Sequence, residues 1–254
     1  MIPYFPEPVL SLGPIEIHAF GVLVAAAVLL GGRVILRRAH RQGVPVQEMF
    51  RFCFFMYAFG LLGAHLAKTA MDNVPAFLAD PTIVVRTSRG IRSLGGFAGG
   101  FLGGLLWCRF RRLSLFETLR RLDIVAYGLP FAWMIGRFGC ALAHDHRGLP
   151  SSSWIAVRFP EGPRYDLGLI EFLFLIVLAT AFRILDRRPR RIGFFFGLFG
   201  VVYGAFRIWL DTLHIQPMRF YGGAAAMVIG LLAFWYVWRS PNNSLDPPHS
   251  SVIL

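Results

Sequence analysis

The chain has 254 residues, of which 56% are hydrophobic, and its mean hydropathy is +0.56. Soluble globular proteins are about 45–50% apolar, so this composition excludes an ordinary soluble fold and indicates a membrane protein. The net charge of +12 does not indicate a nucleic-acid-binding protein, because the basic residues form neither a patch nor a tail but separate the apolar segments.

Seven apolar segments follow one another along the chain. A helix needs about 20 apolar residues to cross about 30 Å of hydrocarbon. The segments of suitable length cover residues 17–36, 50–71, 94–110, 122–143, 167–185, 192–210 and 221–238. We therefore predict an all-α polytopic membrane protein with about seven transmembrane helices. Residues 1–239 are predicted to form a single integral membrane domain, followed by a disordered, polar and proline-rich tail over residues 240–254.

The basic residues predict the orientation of these spans. Arginine-rich connections join spans one and two, three and four, and five and six, and by the positive-inside rule these connections are cytoplasmic. The N-terminus is then outside and the C-terminus cytoplasmic. No basic residue and no cleavage site mark a signal peptide, so we expect the first span to be retained.

Ten basic residues fall on the predicted outer side, where few are expected. Single arginines there can reach lipid headgroups, but as a set they suggest an anionic ligand. They are Lys68, Arg86, Arg89, Arg92, Arg137, Arg147, Arg158, Arg164, Arg207 and Arg219.

Glycines and cysteines give weaker signals. The run SLGGFAGGFLGG, whose first glycines are Gly95 and Gly96, lets another helix or a lipid approach the backbone closely. Packing and substrate binding therefore both remain open as its role. Cys53, Cys108 and Cys140 are isolated in sequence. We therefore predict neither a metal site nor a cofactor.

The stretch GRFGCALAHDHRG places five charged or titratable residues at the end of the fourth span: Arg137, His144, Asp145, His146 and Arg147. An arginine in a span is costly unless it is paired or reaches water. If the helix continued, Asp145 would lie about two turns beyond Arg137 and could form a salt bridge with it. Alternatively, Arg137 and Arg147 hold an anionic group while Asp145 and a histidine transfer a proton.

The sixth span carries a second charged pair. Arg207 and Asp211 are four residues apart in FRIWLDTLH and share one helix face. An exposed pair of this kind contributes only about 0.3–0.5 kcal/mol, which does not explain its place in an apolar helix. We expect a role inside the bundle. His18 and His65 are single histidines near span ends and are interpreted as structural.

The chain resembles the prolipoprotein diacylglyceryl transferases over roughly residues 10–235. The resemblance rests on six segments in family order: LGPIEIHAFGVLV, GAHL, FLADP, SLGGFAGG, GRFGCALAHDHRG and FRIWLDTLH. The family signature, Gly-Arg-x-Gly followed by an acidic residue and a glycine, is matched by Gly136, Arg137, Gly139, Asp145 and Gly148.

The resemblance implies an enzyme of lipoprotein biosynthesis. Members are multi-pass proteins of the bacterial inner membrane that move diacylglyceryl from phosphatidylglycerol to the lipobox cysteine thiol of a preprolipoprotein, releasing glycerol phosphate. By this resemblance Arg137 and Arg207 bind the phosphate, and Asp145 and Asp211 stand where relatives carry glutamates. The substrate site is also expected to include Phe20, Gly95, Gly96, Gly139 and Gly148. No cofactor is implied.

The sequence departs from the family pattern at several polar positions. Leu94 stands where relatives have histidine, Cys140 and Ala143 replace asparagines, and Phe20 replaces a tyrosine. The additional His144 and His146 could restore a base beside Asp145, since histidine titrates near pH 6.5. Two alternatives therefore stay open: a transferase with a changed lipid donor or acceptor, and a non-catalytic phospholipid-binding or transport protein.

Overall fold

The structure is a computed structural model that describes residues 1–13, 15–72, 74–80, 82, 93–215 and 221–239. Arg86, Arg89, Arg92, Arg219 and the predicted tail at 240–254 lie outside the described residues, as does the side chain of Leu94. The helices are α1 (Ala19–Arg41), α2 (Val46–Asp72), α3 (Val74–Ala79), α4 (Ser93–Phe110), α5 (Leu115–Ala143), α6 (Leu167–Leu185), α7 (Phe194–Asp211) and α8 (Tyr221–Arg239).

All seven predicted spans form helices. Within the described ranges, α1, α2, α5, α6, α7 and α8 are long and apolar enough to cross a membrane, and α4 covers the remaining predicted segment. The prediction of an all-α polytopic membrane protein is thereby confirmed. The side that each terminus faces stays a prediction.

Short strands, which were not predicted from the sequence, lie before the first helix and in the α5–α6 connection. A four-stranded sheet has the order β1-β5-β6-β4, built from Ile2–Pro3, Val157–Phe159, Gly162–Asp166 and Arg147–Pro150. Its parallel pair aligns Ile2 with Val157, so the N-terminus closes over the α5–α6 connection. Strands β2 (Val9–Leu12) and β3 (Ile15–His18) form a hairpin that leads into α1.

The chain divides into two compact units, Met1–Gln42 with Asp123–Leu254, and Gly43–Leu122. The first unit has an aromatic core in which Tyr127, Phe182 and Phe195 are buried. At one end of this core the buried Arg38 lies 2.5 Å from Asp186 and faces the Tyr127 ring. At the same end Asp123 accepts hydrogen bonds from the first backbone N–H groups of α7, so it caps that helix.

Helices α7 and α8 of the first unit pack backbone to backbone. A Cβ added at Gly204 would lie 2.7 Å from the Gly223 carbonyl oxygen, and one added at Gly200 would lie 2.8 Å from Gly230 Cα. Small residues at this spacing allow two membrane helices to approach closely. This contact fixes the position of α7, which carries Arg207 and Asp211 at its C-terminal end.

The second unit is built on α2 and α4, which pack through the predicted glycine run. A Cβ added at Gly95 would clash with the Gly63 carbonyl oxygen and with Ala67 Cβ, and Gly96 lies against Ala64 and Gly60. The packing interpretation of this run is confirmed. A role for Gly95 and Gly96 in substrate binding stays a prediction.

Candidate active site

The candidate site lies in the first unit, at the end opposite the Arg38 pair. Helix α5 carries Asp123, which lies 4.0 Å from Arg38, in its first half and ends at Ala143, so its last two turns carry Arg137 and Cys140. His144 then adopts a positive φ of 50°, a conformation that is uncommon outside glycine and ends the helix. The helix therefore ends at Ala143, the last residue of the predicted fourth span, and does not continue to Asp145.

Arg137 pairs with Glu171 of α6, and the salt bridge considered with Asp145 is not formed. The Arg137 Nε atom lies 3.1 Å from Glu171 Oε2. Both side chains are buried, with Glu171 only 1% exposed. The negative charge of this carboxylate offsets the free-energy cost of burying the arginine in a membrane helix.

A second arginine reaches the same carboxylate. The Arg207 Nη1 atom of α7 lies 3.5 Å from Glu171 Oε2, and its Nε lies 2.9 Å from Asp211 Oδ1. Tyr203 completes the cluster by donating its hydroxyl to Glu171 Oε1 at 2.8 Å. The expected pairing of Arg207 with Asp211 inside the bundle is present. Glu171 thus pairs with two guanidinium groups in one largely buried cluster.

His214 closes this cluster from the connection that follows α7. Its Nε2 atom lies 3.9 Å from Asp211 Oδ1, and its backbone bridges to Gly148. Partial burial, followed by the positive charges of Arg207, His146 and Arg137, lowers the pKa of His214 to about 4. His214 is therefore neutral at physiological pH and adds a polar group without another positive charge.

Beside Arg137, three side chains form what we call the thiol corner: Cys140, Asp145 and His146. His146 Nδ1 is hydrogen-bonded to Asp145 Oδ1, and the Arg137 Nη1 atom lies 3.8 Å from Cys140 Sγ. Hydrogen bonds to Asp145 and then Cys140 raise the pKa of His146 to about 9. One donor atom from each of the three side chains lies within 4.8 Å of the others.

The two histidines of the signature take different positions. His144 Nδ1 lies 2.5 Å from Asp166 Oδ2, and its ring packs against Tyr4, Phe5 and Phe159. Burial raises the pKa of Asp166, which also caps α6 by accepting from the Leu169 N–H. His144 therefore anchors the strand connection to α6, whereas His146 is the histidine that joins Asp145.

The remaining predicted residues line the ends of the helices. Arg147 does not join Arg137: it pairs with Glu161 at 2.9 Å on the strand surface, and Arg207 is the arginine beside Arg137. A Cβ at Gly139 would lie 3.2 Å from the Phe20 ring, so glycine at this position favours close packing of α1 against α5.

Gly148 has a similar structural reason. A Cβ at this position would lie 2.8 Å from the Leu213 carbonyl oxygen. The close approach lets the Leu149 N–H donate to that same carbonyl at 2.9 Å. Gly148 thereby holds the segment that carries His214 against the α5–α6 connection.

Four members of the site were not singled out by the sequence analysis: Cys140 as a functional group, Glu171, Tyr203 and His214. Glu171 carried a usable signal, because it is the lone carboxylate in the apolar run LGLIEFLFLIVLATAF. The argument that a charge inside a span needs a partner applies to it as much as to Arg137. Cys140 gave no such signal, since its neighbours in space are set by the chain reversal at His144.

This arrangement can bind an anion and stabilise a leaving group. Two guanidinium groups in a pocket of low dielectric can hold the oxygens of a phosphate, with Glu171 and Asp211 fixing their orientation. The polar residues gather where the apolar helices α5 and α7 end and where α6 begins. A lipid could therefore place its headgroup on the arginines and its chains along the helices.

Comparison with known proteins identifies the family. The model of the family "Prolipoprotein diacylglyceryl transferase" matches residues 7–239. Three similar relatives are phosphatidylglycerol–prolipoprotein diacylglyceryl transferases. The one from Sodalis glossinidius is 28% identical over 244 residues, covering 85% of this chain and 83% of that protein. Those from Frankia alni and Staphylococcus carnosus are 29% and 27% identical, each over 85% of this chain, and the matches cover 59% and 81% of those proteins. Because the family model covers nearly the whole sequence, this chain belongs to the prolipoprotein diacylglyceryl transferase family.

Proposed function

We propose that this protein transfers the diacylglyceryl group of phosphatidylglycerol to the lipobox cysteine thiol of a preprolipoprotein, in the bacterial inner membrane. The observation that carries the proposal is the pair Arg137 and Arg207 on the single buried carboxylate of Glu171. The family and the names of the relatives support the reaction class.

The two arginines receive the phosphate of the donor lipid. Glu171 Oε2 lies within 3.1 Å of one guanidinium and 3.5 Å of the other, and it leaves several N–H donors of each free to bind a second anion. A phosphodiester entering beside Glu171 would accept those hydrogen bonds. Asp211 and Tyr203 hold the arginine–carboxylate cluster in place while the lipid binds.

The reaction breaks the bond between the glyceryl methylene carbon and its phosphate oxygen. The sulfur of the acceptor attacks that carbon, a C–S bond forms, and the C–O electron pair leaves with glycerol phosphate. Charge develops on the departing oxygen, where Arg137 and Arg207 stabilise it. Removing one such donor typically costs about 100- to 1,000-fold in rate. The arginines are thus assigned to the donor half of the reaction.

We assign the acceptor half to the thiol corner. A thiolate is the nucleophile, so a proton has to leave the acceptor sulfur before or during attack. Asp145 and His146 are hydrogen-bonded to each other and partly exposed, next to the arginine that holds the phosphate. The thiol corner therefore lies beside the donor site, where the acceptor sulfur has to lose its proton.

A reconstituted assay tests the proposal. The purified chain is mixed with phosphatidylglycerol vesicles and a lipobox peptide carrying one cysteine, and both glycerol phosphate release and the peptide mass are followed. We expect a diacylglyceryl mass gain that resists hydroxylamine, because a thioether is formed and not a thioester. Arg137→Ala should abolish the gain. Arg187→Ala, an exposed arginine beyond α6, is the matched control and should retain it.

The same assay separates the alternatives. Glycerol phosphate release without modification of the peptide would indicate a changed acceptor. Modification of the peptide with a diacylglyceryl group from another phospholipid would indicate a changed donor. A folded protein that binds phosphatidylglycerol vesicles but transfers nothing would be a lipid-binding protein, and the proposal would be wrong.

A further inference from the structure

The thiol corner combines three different donor groups at one point. Cys140 supplies a sulfur, His146 a ring nitrogen and Asp145 a carboxylate oxygen, and the donor atoms lie within 4.8 Å of one another. Their proximity depends on the chain reversal at His144, which returns residues 145 and 146 to the last turn of α5. The combination is hidden in the sequence, because Cys140 is separated from the other two donors by four residues that do not take part.

We infer that Cys140, Asp145 and His146 bind one Zn²⁺ ion, and that its fourth position takes the acceptor thiol as a thiolate. This inference rests on the proposed function, because the acceptor thiol is the one that the proposed transfer reaction uses. It assigns the preparation of the nucleophile to a metal ion held by these three side chains.

The donor set matches zinc better than the common hard cations. Mg²⁺ and Ca²⁺ prefer oxygen ligands, whereas a thiolate, an imidazole and a carboxylate are all ordinary Zn²⁺ ligands. Catalytic zinc sites keep three protein ligands and leave one position open. Bonds of about 2.0–2.3 Å place the donor atoms of a tetrahedral site roughly 3.3–3.8 Å apart, so side-chain movement of about 1 Å closes the site.

Charge and hydrogen bonding also fit an ion at this point. A Cys140 thiolate and the Asp145 carboxylate together neutralise Zn²⁺, while Arg137 and Arg207 are already balanced by Glu171 and Asp211. The metal would replace the proton shared by His146 and Asp145. Arg137 remains available to donate to Cys140 Sγ from 3.8 Å, as outer residues commonly do to metal ligands.

The metal provides a balanced route to the nucleophile. The acceptor thiol coordinates Zn²⁺ and releases its proton to water, since a coordinating thiol is deprotonated outright. A sulfur lone pair then attacks the methylene carbon of the diacylglyceryl group. The C–S bond forms, the C–O bond breaks, and both electrons of that bond leave with glycerol phosphate on Arg137 and Arg207. The thioether is a weaker ligand than the thiolate and dissociates from the metal.

A metal titration tests the site without any substrate. The full-length protein in detergent is stripped with a chelator and titrated with Co²⁺, which shows a charge-transfer absorption band when a thiolate binds it. We expect one equivalent of Co²⁺ to bind with this band and Zn²⁺ to displace it. Cys140→Ser should remove the band, and His146→Ala should weaken binding by more than about tenfold.

Cys53→Ser is the matched control, because Cys53 belongs to α2 and takes no part in the thiol corner. It should retain the band and the affinity of the unmodified protein. Absence of the band from the unmodified protein, or its persistence in Cys140→Ser, would overturn the inference.

An activity measurement tests the role of the metal. Transfer to the lipobox peptide is compared in stripped and zinc-restored protein at pH 6.5. Only about 1% of a free thiol with a pKa near 8.5 is ionised there, so zinc should raise the rate at least about tenfold. Equal rates with and without zinc would leave the proposed function standing and overturn the inference. No transfer under either condition would contradict the proposed function, and a Cys140-dependent Co²⁺ band would then support only the metal site.

Discussion

Replacing Glu171 by glutamine tests the centre of the candidate site. The substitution keeps the shape of the side chain and an acceptor for Tyr203, but it removes the one charge that two arginines share. At an effective dielectric constant of about 20, each guanidinium at 3.1–3.5 Å gains roughly 5 kcal/mol from this carboxylate before desolvation. Breaking a buried pair by removing one partner costs about 3–5 kcal/mol net.

Thermal unfolding in detergent measures this cost. For a chain of this size each kcal/mol shifts the Tm by about 2–4 °C, so Glu171→Gln should lower it by roughly 10 °C. Glu161→Gln is the matched control, because Glu161 also pairs with an arginine but lies on the surface. It should leave the Tm unchanged, since exposed ion pairs contribute little.

Lipid addition makes the experiment specific to the phosphate site. If Arg137 and Arg207 bind a phosphate, phosphatidylglycerol should restore part of the Tm lost in Glu171→Gln, whereas phosphatidylcholine should restore less. A lipid present at about 100 times its Kd stabilises the folded state by about 2.7 kcal/mol, which is most of the expected loss. An unchanged Tm in Glu171→Gln, or equal rescue by both lipids, would refute the reasoning.

Four further substitutions test the roles of individual residues. Arg207→Lys should lower kcat/KM for glycerol phosphate release by about 100-fold while the protein remains folded, because lysine keeps the charge but loses the planar pair of donors; unchanged kinetics would contradict its role. His144→Ala should destabilise the protein by about 1–3 kcal/mol by leaving the buried Asp166 unpaired, whereas His146→Ala should abolish transfer with an unchanged Tm; the reverse pattern would exchange the two roles. Gly99→Ala should destabilise α2–α4 packing by about 1–3 kcal/mol, since its Cβ would clash with the Phe59 carbonyl oxygen, and chemical denaturation that shows no loss would argue against this contact.

The helices were predictable because their signal is local. Each span is a run of apolar residues whose length is set by the thickness of a membrane, and all seven runs form helices. The strands were not predictable in the same way, because each has only two to five residues. Strand β1 pairs with β5 across more than 150 residues of sequence, and no sequence pattern in either strand indicates that pairing.

The site was predictable where the cost of burying charge is high. Arg137 and Arg207 lie in apolar helices, so the sequence alone required partners for them. It did not say that both would share Glu171, because that depends on how α5, α6 and α7 pack. Arg147 differs from them because it lies in a connection and not in an apolar helix, so it pairs with Glu161 at the surface. Its part in holding the same anion stays a prediction.

Arg137 connects the two halves of the proposed reaction. One face of its guanidinium group pairs with Glu171, which also holds Arg207, and its Nη1 atom lies 3.8 Å from Cys140 Sγ. In-line displacement requires the nucleophile and the leaving group to stand on opposite sides of one carbon, within a few ångströms of each other. A residue that contacts both the phosphate pocket and the thiol corner fixes that separation. Arg137→Lys should therefore lose more activity than Arg207→Lys, since of these two arginines only Arg137 contacts both Glu171 and Cys140.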